Sequence, residues 1–356
     1  MQVKRWLLLG GVFAIVLFAI QAVPDIGTYI QAVKSGDLPS FEDNDPSLEV
    51  DEAEAMPVMA MASVQTKSEE GIQVSRNRLL DIIKAEAAKR RIAPINAKMD
   101  PVWKAIPGYN GLEVDIDETL KLAEHHFTPG KIHYIMKEVP PAIQLDDLGP
   151  SPIYKGNPKK PMASIMINVA WGNEYLPRIL ETLRKENVHA TFFFDGSWLK
   201  KNVETAKLIQ REGHELSNHA YSHKDMRSIS RSKAVEEISK TEDLLKQQLG
   251  VNNTLFAPPS GYFNEETVRV AADFKLRTVL WTFDTIDWRN PGADRIIERL
   301  SRNIEPGTLI LMHPTASSSQ ALGGMIKVIK NKGLTLGTVS ELLSSNRVPD
   351  TSMMMP

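Results

Sequence analysis

The sequence predicts an α/β fold whose parallel sheet rolls into a distorted (β/α) barrel, closed or nearly so. Two observations predict it. From Ser164 onward, short apolar runs alternate with helical patterns, about seven times, and strands alternating with helices make a parallel sheet covered on both faces. Asp195, His219, Asp284, Asp287 and His313 fall at the carboxyl ends of those runs, which is where a barrel of this kind keeps its chemistry.

The units follow in order. Ser164–Val169 is an apolar strand and Glu174–Asn187 a helix. Ala190–Phe194 is the second strand, followed by a helix to Glu212. His214–Ser217 leads into Asn218-His219-Ala220-Tyr221-Ser222-His223, and Ser232–Leu249 is a long amphipathic helix. Thr254–Phe256, Thr278–Phe283 and Thr308–Met312 are further apolar strands, each with a helical pattern after it. Thr335–Val339 and Ser340–Ser345 close the series. This domain occupies residues 148–347, entered through a Pro- and Gly-rich stretch from Leu148 to Pro161 and followed by a tail over 348–356.

Three segments precede it. Lys4 and Arg5 stand before an apolar run from Trp6 to Val23, broken at Gln21. Residues 1–24 are therefore a membrane anchor or a signal peptide. No Ala-x-Ala site follows the run, which favours the anchor. Either element puts the rest of the chain outside the cytoplasmic membrane, anchored to it or, if the segment is cleaved, secreted. Residues 25–70 carry seven clustered carboxylates, Glu42, Asp43, Asp45, Glu49, Asp51, Glu52 and Glu54, with no Lys or Arg between Lys34 and Lys67. Such a stretch repels itself and buries little, so it is a disordered acidic linker. Residues 71–147 predict a small α/β accessory module. Val74 to Ile92 is helical, Leu112–Asp115 a strand, Asp117 to His126 a helix opened by an Asp cap, and Ile132 to Val139 a strand. His125 and His126 are adjacent, so they point apart and belong to a helix end rather than to a ligand set.

Composition excludes several chemistries. The 356 residues carry a net charge of -2 and no cysteine. Disulfides, thiolate metal sites, a cysteine nucleophile and a lipidated cysteine are ruled out. The charge gives no case for nucleic acid, whose phosphates need a basic surface.

His219 and His223 are spaced to present two imidazoles to one divalent metal. On a helix, positions i and i+4 share a face; at a strand end running into a turn, the rings can also converge. Zinc in a working site takes three protein ligands and leaves one position open, so two histidines alone hold it weakly.

The domain from about Pro161 to Arg347 resembles the polysaccharide deacetylases, the NodB-homology or carbohydrate esterase family four, and within them the sporulation-associated wall deacetylases. The residues that carry the resemblance are Ala190-Thr191-Phe192-Phe193-Phe194, His219-Ala220-Tyr221-Ser222-His223, Trp281 through Trp288, and Leu309-Ile310-Leu311-Met312-His313-Pro314. The resemblance implies the deacetylase barrel and metal-dependent hydrolysis of the N-acetyl amide on a cell-wall glycan, peptidoglycan or chitin-like. It implies that His219 and His223 bind zinc or another divalent metal and that His313 is the general acid supported by Asp287. Trp288, Leu311 and Asp284 would then line the substrate groove.

The sequence departs from the family pattern at three positions. Where the family has two aspartates before a glycine, this chain has Asn168-Val169-Ala170-Trp171-Gly172. The base position is Ala170 and the ligand carboxylate position is Trp171. Where the family has an arginine before two prolines, it has Phe256-Ala257-Pro258-Pro259, so the arginine position is Ala257. Losing the base and its arginine together leaves no stranded charge. Three readings follow: a wall deacetylase with a nonstandard site in which Glu174 reaches the metal, a non-catalytic binder of glycan or of a partner, and a structural envelope protein whose barrel only positions the accessory module.

Overall fold

The computed structural model describes residues 76–125 and 132–348. The N-terminal apolar run, the acidic linker, His126 and nearly all of the C-terminal tail lie outside the described residues. Among the described residues no helix is long and apolar enough to cross a membrane.

The accessory segment is built from two antiparallel pairs and two helices. β1 (Lys98–Asp100) pairs with β2 (Lys104–Ile106), and β3 (Gly111–Val114) with β4 (Met136–Val139). A helix over 76–90 and the helix Ile116–His125 close on Ile83, Val114 and Leu120. The second helix is opened by Asp115 rather than by Asp117: the Glu118 N–H donates to Asp115 Oδ1 at 3.2 Å. Both residues are aspartates with the right chemistry for a cap, and sequence alone does not separate them.

The large sheet comprises β5 (Met162–Val169), β6 (Thr191–Phe194), β7 (Glu215–Asn218), β8 (Leu255–Phe256), β9 (Arg277–Thr278), β10 (Phe283–Asp284), β11 (Leu309–Met312) and β12 (Thr335–Gly337). Its order is β10-β11-β5-β6-β7-β8-β9, parallel throughout, with β12 joined to the start of β5. The end strands β9 and β10 do not pair with each other. The sheet is thus a curled half-barrel, which corrects the expectation of a closed or nearly closed one. The expected single strand Thr278–Phe283 is in fact two short strands on opposite edges. The residues between them cross the gap: Leu280 N–H donates to Ile153 O at 2.8 Å, and Thr282 N–H to Leu309 O at 3.0 Å. Ile153 fills the open edge of β9, its own N–H donating to Thr278 O at 2.9 Å.

Pleating divides β5 and β6 between two cores. Ala163, Ile165, Ile167 and Val169, with Phe192 and Phe194, face outward into the layer packed under the helices. Met162, Met166 and Phe193 face inward with Ala257, Val279 and Leu309. That is the period-two alternation of a strand buried on both faces. Asn168, two residues after Met166, falls on the inner face at the mouth of the half-barrel. The helix Arg231–Leu249 is capped by Ser230, and the expected helix to Glu212 is two helices, Gly196–Lys201 and Val203–Arg211.

At the opposite end of the strands His214 is buried, with its Nδ1 accepting from Ala190 N–H at 3.3 Å. Burial, with His189 adding to it, holds its pKa down to about 4 against an ordinary 6.5. The unfolded chain therefore binds the extra proton first as pH falls. Stability is full above pH 6.5 and is lost as pH falls from there toward 4. A thermal melt followed across that window should fall more steeply for the native chain than for His214→Gln, whose side-chain oxygen still accepts from Ala190. Equal slopes would show that His214 does not drive the loss.

Candidate functional site

The carboxyl ends of β5, β7, β8, β10 and β11 surround a cleft of about 360 Å³. His219, His223, Asp284, Trp288, Leu311 and His313 all line it, together with Asn168, Ala170 and Trp171. The seventh expected site residue, Asp287, lies behind His313 and is buried.

At the end of β7 the chain turns. Ala220 and His223 both take positive φ, 60° and 53°, so the histidine motif is a strand end running into a turn, not a helix. Asn218 Oδ1 accepts from Ala220 N–H at 2.7 Å and fixes the first bend. Glu237, on the helix Arg231–Leu249, holds the second: its carboxylate accepts from Tyr221 N–H at 3.2 Å, Ser222 N–H at 2.8 Å and Ser222 Oγ at 2.7 Å. The two imidazoles then stand 5.2 Å apart at 70° to one another. His219 Nδ1 lies 2.7 Å from Ala257 O, so that nitrogen carries the proton and Nε2 keeps a lone pair. Burial pushes its pKa down to about 3, with His223 adding to the effect, and the ring is neutral at any physiological pH.

At the end of β11 the Asp287 carboxylate holds His313 twice. It accepts from the His313 backbone N–H at 2.6 Å and from Nδ1 at 2.9 Å. The pair fixes one ring orientation and leaves Nε2 as the free nitrogen. Asp284 Oδ1 accepts from Ile286 N–H at 2.7 Å.

At the end of β5 the departures from the family pattern take physical form. Gly172 has φ 84°, and a Cβ there would lie 2.0 Å from Pro314 O, so only glycine allows the turn to pack on the strap after His313. That turn places the Trp171 indole beside His313, ring centroids 5.5 Å apart and tilted by 32°. Ala170 offers a methyl and no acid.

Asp284 reaches the cleft with one oxygen held by Ile286 N–H, and Glu174, Asp195 and Asp225, the other carboxylates close to these motifs in sequence, do not take over. Glu174 sits exposed on the short turn Asn173–Tyr175 and does not line the cleft. Asp195 caps the helix Gly196–Lys201, accepting from Trp198 N–H at 3.0 Å, and Asp225 is paired with Arg227 at 2.7 Å. Asn173 is committed to Trp198 Nε1 and Asn202. Ala257 is fully buried in the inner core beneath the cleft. Among the described residues no three His, Cys, Asp or Glu side chains are placed to hold a metal ion. The donor set therefore does not fit the zinc centre expected from the resemblance: two imidazoles are together, the third ligand is absent, and no water-activating base stands beside them.

Three cleft residues had no expected place in the groove. Ser260 and Tyr262 come from the turn after Pro258-Pro259, and Trp281 comes from the segment that crosses the gap. Tyr262 is stacked under the Arg227 guanidinium at 3.6 Å. The only advance signal for them was position, since each follows the end of a strand. Glu237 had a better one: it is a carboxylate one turn from Ala234 and Thr241 on the buried face of its helix.

Residues 155–279 match the polysaccharide deacetylase family model. Over 277 residues the chain is 42% identical to the uncharacterized protein YlxY of Bacillus subtilis, covering 78% of this chain and 87% of that one. It is 32% identical to a peptidoglycan-N-acetylglucosamine deacetylase of Bacillus cereus, covering 48% of this chain and 82% of the relative. Among solved structures it resembles BA3943 of Bacillus anthracis, described as a CE4 family pseudoenzyme, with TM-score 0.69 and 44% identity over 76% of this chain and 96% of that one. A mutant of BA3943 with restored enzymatic activity matches at TM-score 0.69 and 42% identity, over 76% of this chain and 99% of the mutant's. With this sheet, these strand-end histidines and this identity to a peptidoglycan deacetylase along most of its length, the chain belongs to the polysaccharide deacetylase family.

Proposed function

We propose that this protein is a non-catalytic member of its family that binds N-acetylated cell-wall glycan in the cleft without hydrolysing it. The observation that carries the reading is Trp171. An indole occupies the place of the ligand carboxylate and packs on His313, so the position that would complete a metal site is a ring surface instead. Trp171, Tyr262 and Trp288 are 47%, 44% and 53% exposed around the same cleft. Flat apolar rings with one polar edge are suited to the C–H faces of pyranose sugars, whose hydroxyls then reach the rim. Large aromatics left exposed together in a concave site mark binding rather than packing. The likeness to a family member described as a pseudoenzyme supports the same conclusion. The apolar run near the N-terminus would hold the protein on the outer side of the cytoplasmic membrane, facing the wall.

The test uses the full-length chain with tetra-N-acetylchitotetraose and with insoluble peptidoglycan. Acetate release should equal that of a His219→Ala control with or without added zinc, while glycan binding is retained. Trp288→Ala should weaken binding about tenfold, as loss of an aromatic anchor does. Acetate above the control would replace this reading by that of an active deacetylase, and absence of binding to both glycans would end it.

A further inference from the structure

The turn Asp287–Arg289 follows β10 and is fastened at both ends. Ile286 and Asn290, on either side of it, both take a left-handed φ of 52°, a conformation that non-glycine residues hold only where their surroundings fix it. Asp287 fastens the front through its two bonds to His313. Asn290 fastens the back, its Oδ1 accepting from Ser317 Oγ at 2.6 Å. Asp287 is buried, so the turn presents two side chains to solvent, Trp288 and Arg289. The Arg289 guanidinium lies over the Trp288 indole, 4.6 Å from its centroid. With the guanidinium on it, the indole still lines the cleft and is 53% exposed. The other arginines nearby are committed, Arg227 to Asp225 and Arg299 to the Asp284 and Thr285 carbonyls. Among the described residues the Arg289 guanidinium has no ion-pair partner and no acceptor; the ring of Trp288 is its one contact of this kind. Stacking fixes the plane of a guanidinium and leaves the donors on its edge free.

We infer that Arg289 makes the cleft select acidic glycan, its guanidinium receiving a carboxylate carried by the glycan whose sugar ring lies on Trp288. The inference rests on the glycan-binding reading above and names the class of glycan. A planar fork of N–H donors meets a carboxylate through two parallel hydrogen bonds, which a neutral hydroxyl cannot match. The cleft itself does not suit an anion. Asp284 is the one carboxylate among the residues that line it, and no lysine or arginine lines it. A neutral N-acetylated pyranose therefore occupies the cleft, and the acid is taken at the rim. Glycan built with muramic acid offers a carboxylate in two places, on the lactyl ether where the peptide stem has been removed, and on the stem where it remains. A chitin-like polymer offers none. The fastened turn then holds out one recognition unit, an indole for the sugar face and a guanidinium for the acid beside it.

The experiment titrates the full-length chain calorimetrically with tetrasaccharides of one linkage. Tetra-N-acetylchitotetraose is neutral. The alternating tetramer of N-acetylglucosamine and N-acetylmuramic acid has free lactyl carboxylates, and its methyl amide has none. The same tetramer with peptide stems has its carboxylates on the stems. The native chain should bind one or both acidic tetramers roughly tenfold more tightly than tetra-N-acetylchitotetraose and the methyl amide, the scale of one charge-assisted pair. The tighter of the two acidic tetramers identifies the carboxylate that Arg289 takes. Arg289→Gln should bring the preference below about twofold and leave the affinity for tetra-N-acetylchitotetraose unchanged. Arg289→Lys keeps the charge without the fork and should retain part of the preference. Arg295→Gln removes an exposed arginine from the helix Ala293–Asn303 and should leave the preference as it is. A preference that survives in folded Arg289→Gln, or that Arg295→Gln abolishes as well, overturns the inference and leaves glycan binding intact. A methyl amide bound as tightly as the acids, or equal affinity for all the tetramers, also overturns it. A native chain that binds neither the tetramers nor peptidoglycan overturns the binding reading itself, and the inference with it.

Discussion

The double variant Ala170→Asp/Trp171→Asp should release acetate from tetra-N-acetylchitotetraose in the presence of zinc, on the order of 100-fold above the native chain, the lower end of what a positioned base contributes. The two substitutions act on different deficits. An aspartate at 171 stands where the indole now packs against His313 and supplies a carboxylate to join His219 and His223. An aspartate at 170 adds the acid-base group where the chain now offers a methyl to the cleft. The single variants separate the roles. Trp171→Asp alone should bind one zinc per chain by metal analysis and release almost no acetate. Ala170→Asp alone should do neither, because the third ligand is still missing. The His313–Asp287 pair needs no repair, since its geometry is in place at 2.9 Å. A double variant that binds zinc stoichiometrically and still releases no acetate would show that more of the site has drifted than two side chains.

Ala257→Arg is a different matter. Ala257 is completely buried and packs in the inner core, and its carbonyl is the group that orients His219. A guanidinium introduced there without a partner would be an uncompensated charge over an apolar layer, and it should lower stability by about 3 kcal/mol. In the background of Ala170→Asp, much of that loss should be recovered, because the new pair can form. This is the energetic counterpart of finding both residues absent together.

The parts of the site that sequence disclosed are those set by local spacing. His219 and His223, the Asp287 carboxylate and His313 were legible because each occupies a fixed place after a strand, and strand ends in a parallel sheet converge. The departures at Ala170, Trp171 and Ala257 were legible only against the pattern of the family that the chain resembles. What sequence did not disclose depends on residues far apart. Thr278–Phe283 is a short run of β-branched and large apolar residues, and a strand cannot be told by periodicity from a segment that crosses between two sheet edges. The half-barrel opening, and Ile153 filling one side of it, follow from that crossing. Asn168 could be placed on the face of Ala170 by alternation, but that its Oδ1 is left without a hydrogen-bond partner is a property of what surrounds it. Glu174 is adjacent to the site in sequence and remote from it in use, since the turn after Gly172 carries it onto the surface.

Glu237→Ala should be the most disruptive single change outside the hydrophobic core, lowering stability by about 2–3 kcal/mol in denaturant unfolding and abolishing zinc binding in the double variant. The carboxylate is 2% exposed and its three accepted hydrogen bonds all come from Tyr221 and Ser222. Those residues lie between the two histidines, where Ala220 and His223 hold left-handed backbone conformations that non-glycine residues adopt only when their surroundings impose them. With the carboxylate removed, two backbone N–H groups and a hydroxyl lose their acceptor, and the turn relaxes toward ordinary φ. His223 then swings away while His219, fixed to Ala257 O from the strand side, remains. Glu237→Gln keeps one oxygen acceptor and presents an NH₂ to the other donors, so it should fall between the two. The comparison that isolates the clamp is Glu236→Ala, one residue earlier on the same helix, whose carboxylate pairs with Lys233 and Lys240 on the solvent face and whose loss should leave the unfolding midpoint nearly unchanged, as for other exposed ion pairs. If Glu237→Ala and Glu236→Ala unfolded at the same denaturant concentration, and both kept zinc in the double variant, the turn would be held by its own backbone and not by the helix beneath it.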